Sequence, residues 1–245
     1  FSKTRLGVLA LAAASLILIG RVNLSSVQPP PGFVDVDTQY SRVWIFDKID
    51  ERSNRPAKIM VIGNENSSAM FLNHDDLVFD YTKYYRLATH FNPDIKNALM
   101  LGGGGYSYPK DYLKRLPEAT LDVVEIDPAL TDLARKYFAL KDNNRLKIYH
   151  EDGRIFINAT RNNYDAVFVD VFKSLRVLPY QLTTQEAVRK IYDALSDDGV
   201  VLVNMISGIT GANGKFLRAE YATYRTLFPQ VFLFPVRNPE DSESS

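Results

Sequence analysis

Asn97-Ala-Leu-Met-Leu-Gly-Gly-Gly-Gly-Tyr-Ser-Tyr108 is the stretch on which the fold turns. An apolar run ends in four consecutive glycines, and a Tyr/Ser-rich segment leads through Pro109 into a helical pattern. About twenty residues further on, a second apolar run, Leu121-Asp-Val-Val-Glu-Ile-Asp127, ends in two carboxylates. Strand, glycine loop, helix, strand, acid is the order of a nucleotide-binding half-sheet. The loop brings peptide groups close to a ligand because no Cβ intervenes, and the acid accepts from ribose hydroxyls. No Gly-Lys-Ser/Thr follows the glycines, which argues against a triphosphate.

Outward from this core the pattern keeps alternating. Strands are predicted at 97–101, 120–126, 145–150, 164–170, 199–206 and 230–236, and helices at 109–116, 129–139, 153–160, 184–195 and 214–227. That alternation implies an α/β fold with a doubly wound, mostly parallel sheet. Upstream, strands at 42–47, 57–63 and 68–73, separated by polar turns, imply a small antiparallel sheet, and 81–91 reads as a helix ended by Asn92-Pro93.

Leu6 to Gly20 is uncharged and apolar, between Lys3 and Arg5 on one side and Arg21 on the other. As a helix it covers roughly 22 Å against a hydrocarbon core of ~30 Å, and Val22 to Leu24 extend it. No A-x-A-type cleavage site follows, so a membrane anchor is preferred to a signal peptide. The basic flank places the following domain on the non-cytoplasmic, periplasmic side. The expected organisation is a transmembrane anchor over 1–24, a Pro-rich linker over 25–39, a small β domain over 40–79, the main α/β domain over 80–238, and a disordered tail over 239–245.

Composition removes several function classes. Lys+Arg and Asp+Glu balance at 29 each, so net charge gives no reason to expect a nucleic-acid partner. Cysteine is absent, which rules out disulfides and thiolate chemistry, and the three histidines (His74, His90, His150) show no metal-ligand spacing.

Candidate binding residues then follow from strand ends. Gly102, Gly103 and Gly104 either pass under a nucleoside or supply left-handed geometry to a turn. Glu125 is the candidate for the ribose, whereas Asp127-Pro128 suits a helix start. Asp152, with Gly153 beside it, can accept from an adenine amino group or cap the next helix. Asp170, at the carboxyl end of the run Tyr164-Asp-Ala-Val-Phe-Val-Asp170, can hold a cationic substrate or accept a proton from an amine.

From Tyr40 to about Pro235 the chain resembles the spermidine/spermine synthase family, the polyamine aminopropyltransferases. The resemblance is carried by Leu99-Met-Leu-Gly-Gly-Gly-Gly105, Val123-Val-Glu-Ile-Asp-Pro128, Glu151-Asp-Gly153 and the run ending at Asp170. The loop wording and Leu178-Pro-Tyr-Gln-Leu-Thr-Thr184 look closest to its membrane-associated branch. The resemblance implies the class I S-adenosylmethionine (AdoMet) methyltransferase fold. It also implies a nucleoside site for AdoMet or decarboxylated AdoMet, if any cofactor is held. Three departures stand out. Gly105 occupies the place of the family's substrate-binding Asp, Tyr84-Tyr85-Arg86 that of its Tyr-His-Glu, and Lys173 that of an acidic stretch. Spermidine synthesis is therefore not expected. The expected role is a non-catalytic, membrane-tethered structural subunit with protein partners in a membrane assembly. The alternative is an AdoMet-dependent aminopropyl- or methyltransferase acting on another acceptor, with Asp170 as its acid or base.

Overall fold

The computed structural model describes residues 32–172 and 178–236. By its contacts the chain divides into Phe1–Phe33 and Val34–Ser245, and the fold is that of the second unit. It begins with four antiparallel strands in the order β1 (Val34–Asp37), β2 (Arg42–Asp50), β3 (Arg55–Ile62) and β4 (Glu65–Phe71). Asn54, at φ 54°, turns β2 into β3, a left-handed position that Asn tolerates well. The two faces of this sheet bury different things. Val43, Ile45 and Met60 join the main core, while Ala57, Ile59, Val61 and Phe71 form a separate cluster with Val78. Strand alternation thus docks the small sheet onto the larger one.

A broken helix follows: α1 (Asp80–Tyr84), a 3-10 turn (Tyr85–Leu87) and α2 (Ala88–Phe91). The α/β layers then run β5 (Asn97–Leu101), α3 (Ser107–Arg115), β6 (Thr120–Val124), α4 (Pro128–Tyr137), β7 (Leu146–Tyr149), α5 (Gly153–Ala159), β8 (Tyr164–Val169), α6 (Gln185–Asp193), β9 (Leu195–Val203) and α7 (Lys215–Arg225). The five strands are parallel in the order β7-β6-β5-β8-β9. Alternate residues supply two cores. Met100, Val123 and Phe168 face Tyr85, Tyr108 and Phe138 on one side, and Leu101, Val124 and Val169 face Phe156, Ile157 and Ile191 on the other. Burial on both faces explains why these strands read as nearly unbroken apolar runs. Strand order reverses at β5, so a crevice opens at the carboxyl ends of β5 and β8.

Three expectations need correction. No strand forms over 230–236 among the described residues. Pro229 precedes that segment and Pro235 lies within it, and neither has the N–H a ladder needs. Its rings pack on the broken helix instead, Phe232 stacking on Phe91 at 5.5 Å between centroids. The second correction lies within the expected linker, where Val34–Asp37 pairs with β2 as an edge strand. The third concerns the membrane. Among the described residues no helix is long and apolar enough to cross one. The longest, α7, has 11 residues and covers about 16 Å, half the hydrocarbon thickness. The expectation of a single-pass membrane protein with its domain on the non-cytoplasmic side is overturned on that finding. The segment expected as the anchor, Lys173 and the tail lie outside the described residues.

Candidate active site

The glycine loop joins β5 to α3 in three unusual backbone steps: Gly102 at φ 91°, Gly104 at 50° and Tyr106 at 55°. Each glycine has a neighbour that requires it. A Cβ on Gly102 would lie 2.2 Å from the Asp170 carbonyl oxygen, one on Gly103 2.7 Å from the Tyr106 ring, and one on Gly104 2.8 Å from Ser68 Oγ. The loop amides are also spoken for. Gly103 N–H and Gly104 N–H donate to Glu125 Oε2 at 2.8 and 3.0 Å, and Gly105 N–H donates to Ser68 Oγ at 2.8 Å. The protein's own packing accounts for the glycines.

Glu125, buried after β6, accepts a third bond at Oε1 from Asp127 N–H, 3.0 Å. Of the roughly four acceptor positions on a carboxylate, three are filled. One is left for a ribose hydroxyl, so a two-hydroxyl grip requires the loop to let go. Asp127 caps α4 through Ala129 N–H, as its place before Pro128 suggests, and its buried Oδ2 has no partner among the described residues. Asp152 caps α5 with Oδ1 alone, accepting from Arg154 N–H and Ile155 N–H, which keeps Oδ2 available. A Cβ on Gly153 would meet Leu101 at an ordinary 3.7 Å, so space alone does not demand glycine there. Ile126, between Glu125 and Asp127, and Ile155, in the first turn of α5, are exposed apolar side chains.

Asp170 directly follows β8, its N–H bound to the Leu101 carbonyl at 2.9 Å, which seats it beside the first glycine. It keeps a small accessible surface, yet burial of the carboxyl pushes its pKa up to about 6. Hydrogen bonding works in the opposite sense: Asn204 Nδ2 donates to Oδ1 at 3.0 Å, and the Tyr81 and Tyr85 hydroxyls stand close by. The Tyr85 hydroxyl is buried and does not complete a regular hydrogen bond. Burial, and then the Asp170 charge, raise the pKa of both phenols well above the usual tyrosine value. A carboxyl tuned toward neutrality and ringed by neutral donors is suited to taking and holding a proton.

Tyr81 and Asn204 are not among the residues the sequence pointed to, and Tyr85 entered only as part of the Tyr84-Tyr85-Arg86 segment. Asn204 carried a signal, since a polar residue closing the apolar run Val200–Val203 obeys the strand-end rule that singled out Asp170. Tyr81 carried only its spacing of four from Tyr85, a helical interval shared by many core pairs.

Two of the motif departures look different in three dimensions. Arg86 donates to Asp111 through Nε (3.0 Å) and Nη2 (2.6 Å), and to Asp76 at 3.0 Å. Two carboxylates balance its charge, so Arg86 does not stand as a free cation against a cationic substrate. Gly105 packs against β4: a Cβ would stand 2.7 Å from Ser68 Cβ and 3.0 Å from Phe138. An acid in its place would have to displace the small sheet.

The sequence profile of the spermine/spermidine synthase domain matches residues 82–234, more than half of the chain. A polyamine aminopropyltransferase of Vibrio vulnificus is 29% identical over 169 residues, 68% of this chain and 54% of the relative. The chain thus spans just over half the length of that relative. Among solved structures, a probable spermidine synthase from Corynebacterium glutamicum superposes with a TM-score of 0.68 at 22% identity, covering 81% of this chain and 72% of the other. Human methyltransferase-like protein 13, solved in complex with SAH, superposes with a TM-score of 0.52 at 22% identity, over 62% and 70%. This chain shares the methyltransferase-like α/β fold with both solved structures.

Proposed function

The chain belongs to the spermine/spermidine synthase family, and we propose that it is a transferase of the aminopropyl or methyl type that presents an amine acceptor to Asp170. The observation that carries this reading is the Asp170 carboxyl, with its pKa pushed up to about 6 and Asn204, Tyr81 and Tyr85 around it. The residues of the nucleoside half fit an AdoMet-type ligand in a reduced form. Glu125 keeps one acceptor position for the ribose, Asp152 keeps Oδ2 for an amino group, and Ile126 and Ile155 offer apolar faces to a base.

An AdoMet-type sulfonium supplies an electrophilic carbon when bound. An acceptor nitrogen alkylated at that carbon, with the thioether as leaving group, would have to shed a proton. Asp170 is placed to receive it. With a pKa near 6 it is mostly ionised at neutral pH yet basic enough to take the proton, and Asn204 fixes which oxygen faces the crevice. Tyr81 and Tyr85 stay neutral and leave that negative charge as the local attraction for an ammonium.

A non-catalytic packing subunit of a protein assembly is the second reading. It is favoured by the glycine loop, whose four glycines and whose Glu125 partners are explained without a ligand. Calorimetric titration with AdoMet, decarboxylated AdoMet and methylthioadenosine separates the two. Micromolar binding of one of them, lost in Ile155→Asp, is expected of the transferase. No binding of any would leave only the scaffold. Glu125→Ala is the poorer probe, because it unties the loop whatever the ligand.

A further inference from the structure

Away from the crevice, two adjoining cavities of about 270 Å³ each open between α3 and the segment that follows α4. Their walls carry Lys110, Lys114, Lys141, Arg135 and Arg145, and a single carboxylate, Asp142. In a chain of zero net charge this is a pronounced local excess. Some of it is neutralised. Arg135 meets Asp132 and Asp142, each at 3.5 Å, and Lys114 pairs with Asp75 at 2.8 Å.

Three cations remain without a carboxylate ion pair among the described residues. Lys110 Nζ donates to the Phe138 carbonyl and to Met70 Sδ, and Asp75, whose field also reaches it, is committed to Lys114. Arg145 spends three N–H bonds on the carbonyls of Leu113, Leu116 and Ala119, all at 2.9 Å. Carbonyls orient a guanidinium but do not cancel its charge. Lys141 projects from the exposed segment between them. Burial drives the Lys110 pKa down to about 8, so its charge is retained at neutral pH but at a cost that an anion would relieve.

We propose that this cleft binds a small polyanion bearing phosphate-type oxygens, held by Lys110, Lys141 and Arg145. A volume of about 270 Å³ is just under the range of roughly 300–1,000 Å³ typical of drug-sized ligand pockets. It suits a di- or triphosphate group or a small phosphorylated metabolite. The walls present no stacked aromatic rings, which disfavours single-stranded nucleic acid. The site shares no residue with Glu125, Asp152 or Asp170, so it stands or falls independently of the transferase reading.

The test is calorimetric titration of the full chain with sodium pyrophosphate, against sodium chloride at equal ionic strength. Saturable one-to-one binding is expected. It should weaken about tenfold in Lys141→Ala, a change to an exposed side chain, and by more in Lys110→Met, as loss of a charge-assisted bond implies. Far-UV circular dichroism checks that both variants fold. If Lys110→Met does not fold, Lys141→Ala decides alone. Heat no larger than the salt control, or unchanged affinity in Lys141→Ala, overturns the proposal. So does a single-stranded oligonucleotide that binds more tightly than pyrophosphate.

Discussion

At Asp170 the same burial that serves chemistry works against stability. An unfolded aspartate has an ordinary pKa near 3.8, and here burial pushes it to about 6. The folded state therefore binds more protons than the unfolded state between those values, and stability falls as pH rises through that window. Above it the full penalty applies, on the order of 1–3 kcal/mol after allowing for relaxation around the carboxyl. Asp170→Asn removes the charge while keeping the shape, so the variant should unfold at a higher temperature than the parent at pH 7.5 and at a similar one at pH 4. Transfer activity, if the proposed function holds, should drop by about a hundredfold or more. A variant less stable than the parent at pH 7.5 would show that Asn204 and the tyrosines compensate the charge more fully than burial penalises it. The sequence disclosed Asp170 because strand ends are visible as the last polar residue of an apolar run. It could not disclose that Arg86 is neutralised, since Asp76 and Asp111 lie 10 and 25 residues away and only folding brings them together.

The element level is where periodicity speaks most clearly, and its failures have identifiable causes. Buried parallel strands such as β5 and β8 carry apolar runs long enough to recognise, and Asp127-Pro128 and Thr184 mark helix starts by their capping chemistry. Edge strands are harder. Val34–Asp37 has a clear alternation, but its four residues follow a Pro-rich stretch that reads as linker. Conversely, 230–236 is apolar enough for a strand and yet packs through its rings. One helix end is legible only in the structure. Ala139 follows α4 at φ 54°, and Leu140 N–H returns to the Ala134 carbonyl at 3.2 Å. An L residue with a Cβ is strained there, and its side chain is exposed. Ala139→Gly should raise stability by about 0.5–1 kcal/mol in urea unfolding, with an unchanged m-value. A loss of stability would mean that the added freedom of the unfolded chain outweighs the relief of strain.

Across the whole molecule, three groups with pKa values shifted by burial act together on stability. Asp170 rises from 3.8 to about 6, and Glu220, on α7 and buried, rises from 4.5 to about 7, in both cases through burial. Each favours the folded state below its unfolded pKa and loses that contribution as pH climbs through the folded value. Lys110 is the opposite case. Burial lowers it from 10.5 to about 8, so its contribution is present above 10.5 and is lost as pH falls toward 8. The two acids thus erode stability on the way up to pH 7, and the lysine erodes it on the way down to pH 8. These three groups together contribute a shallow minimum between pH 7 and 8. The alkaline limb is worth about 1–3 kcal/mol and the acidic limb, which sums two groups, about twice that. Urea unfolding from pH 4 to 10 in buffers free of phosphate is the direct measurement. Asp170→Asn with Glu220→Gln should flatten the acidic limb alone, and Lys110→Met the alkaline limb alone. A single maximum near neutrality, unaltered by these changes, would mean that the charged forms of all three are compensated in the fold. Pyrophosphate supplies a further check on the lysine limb. An anion beside Lys110 stabilises its charged form, so saturating pyrophosphate should raise stability most between pH 7 and 8 and shift the minimum upward.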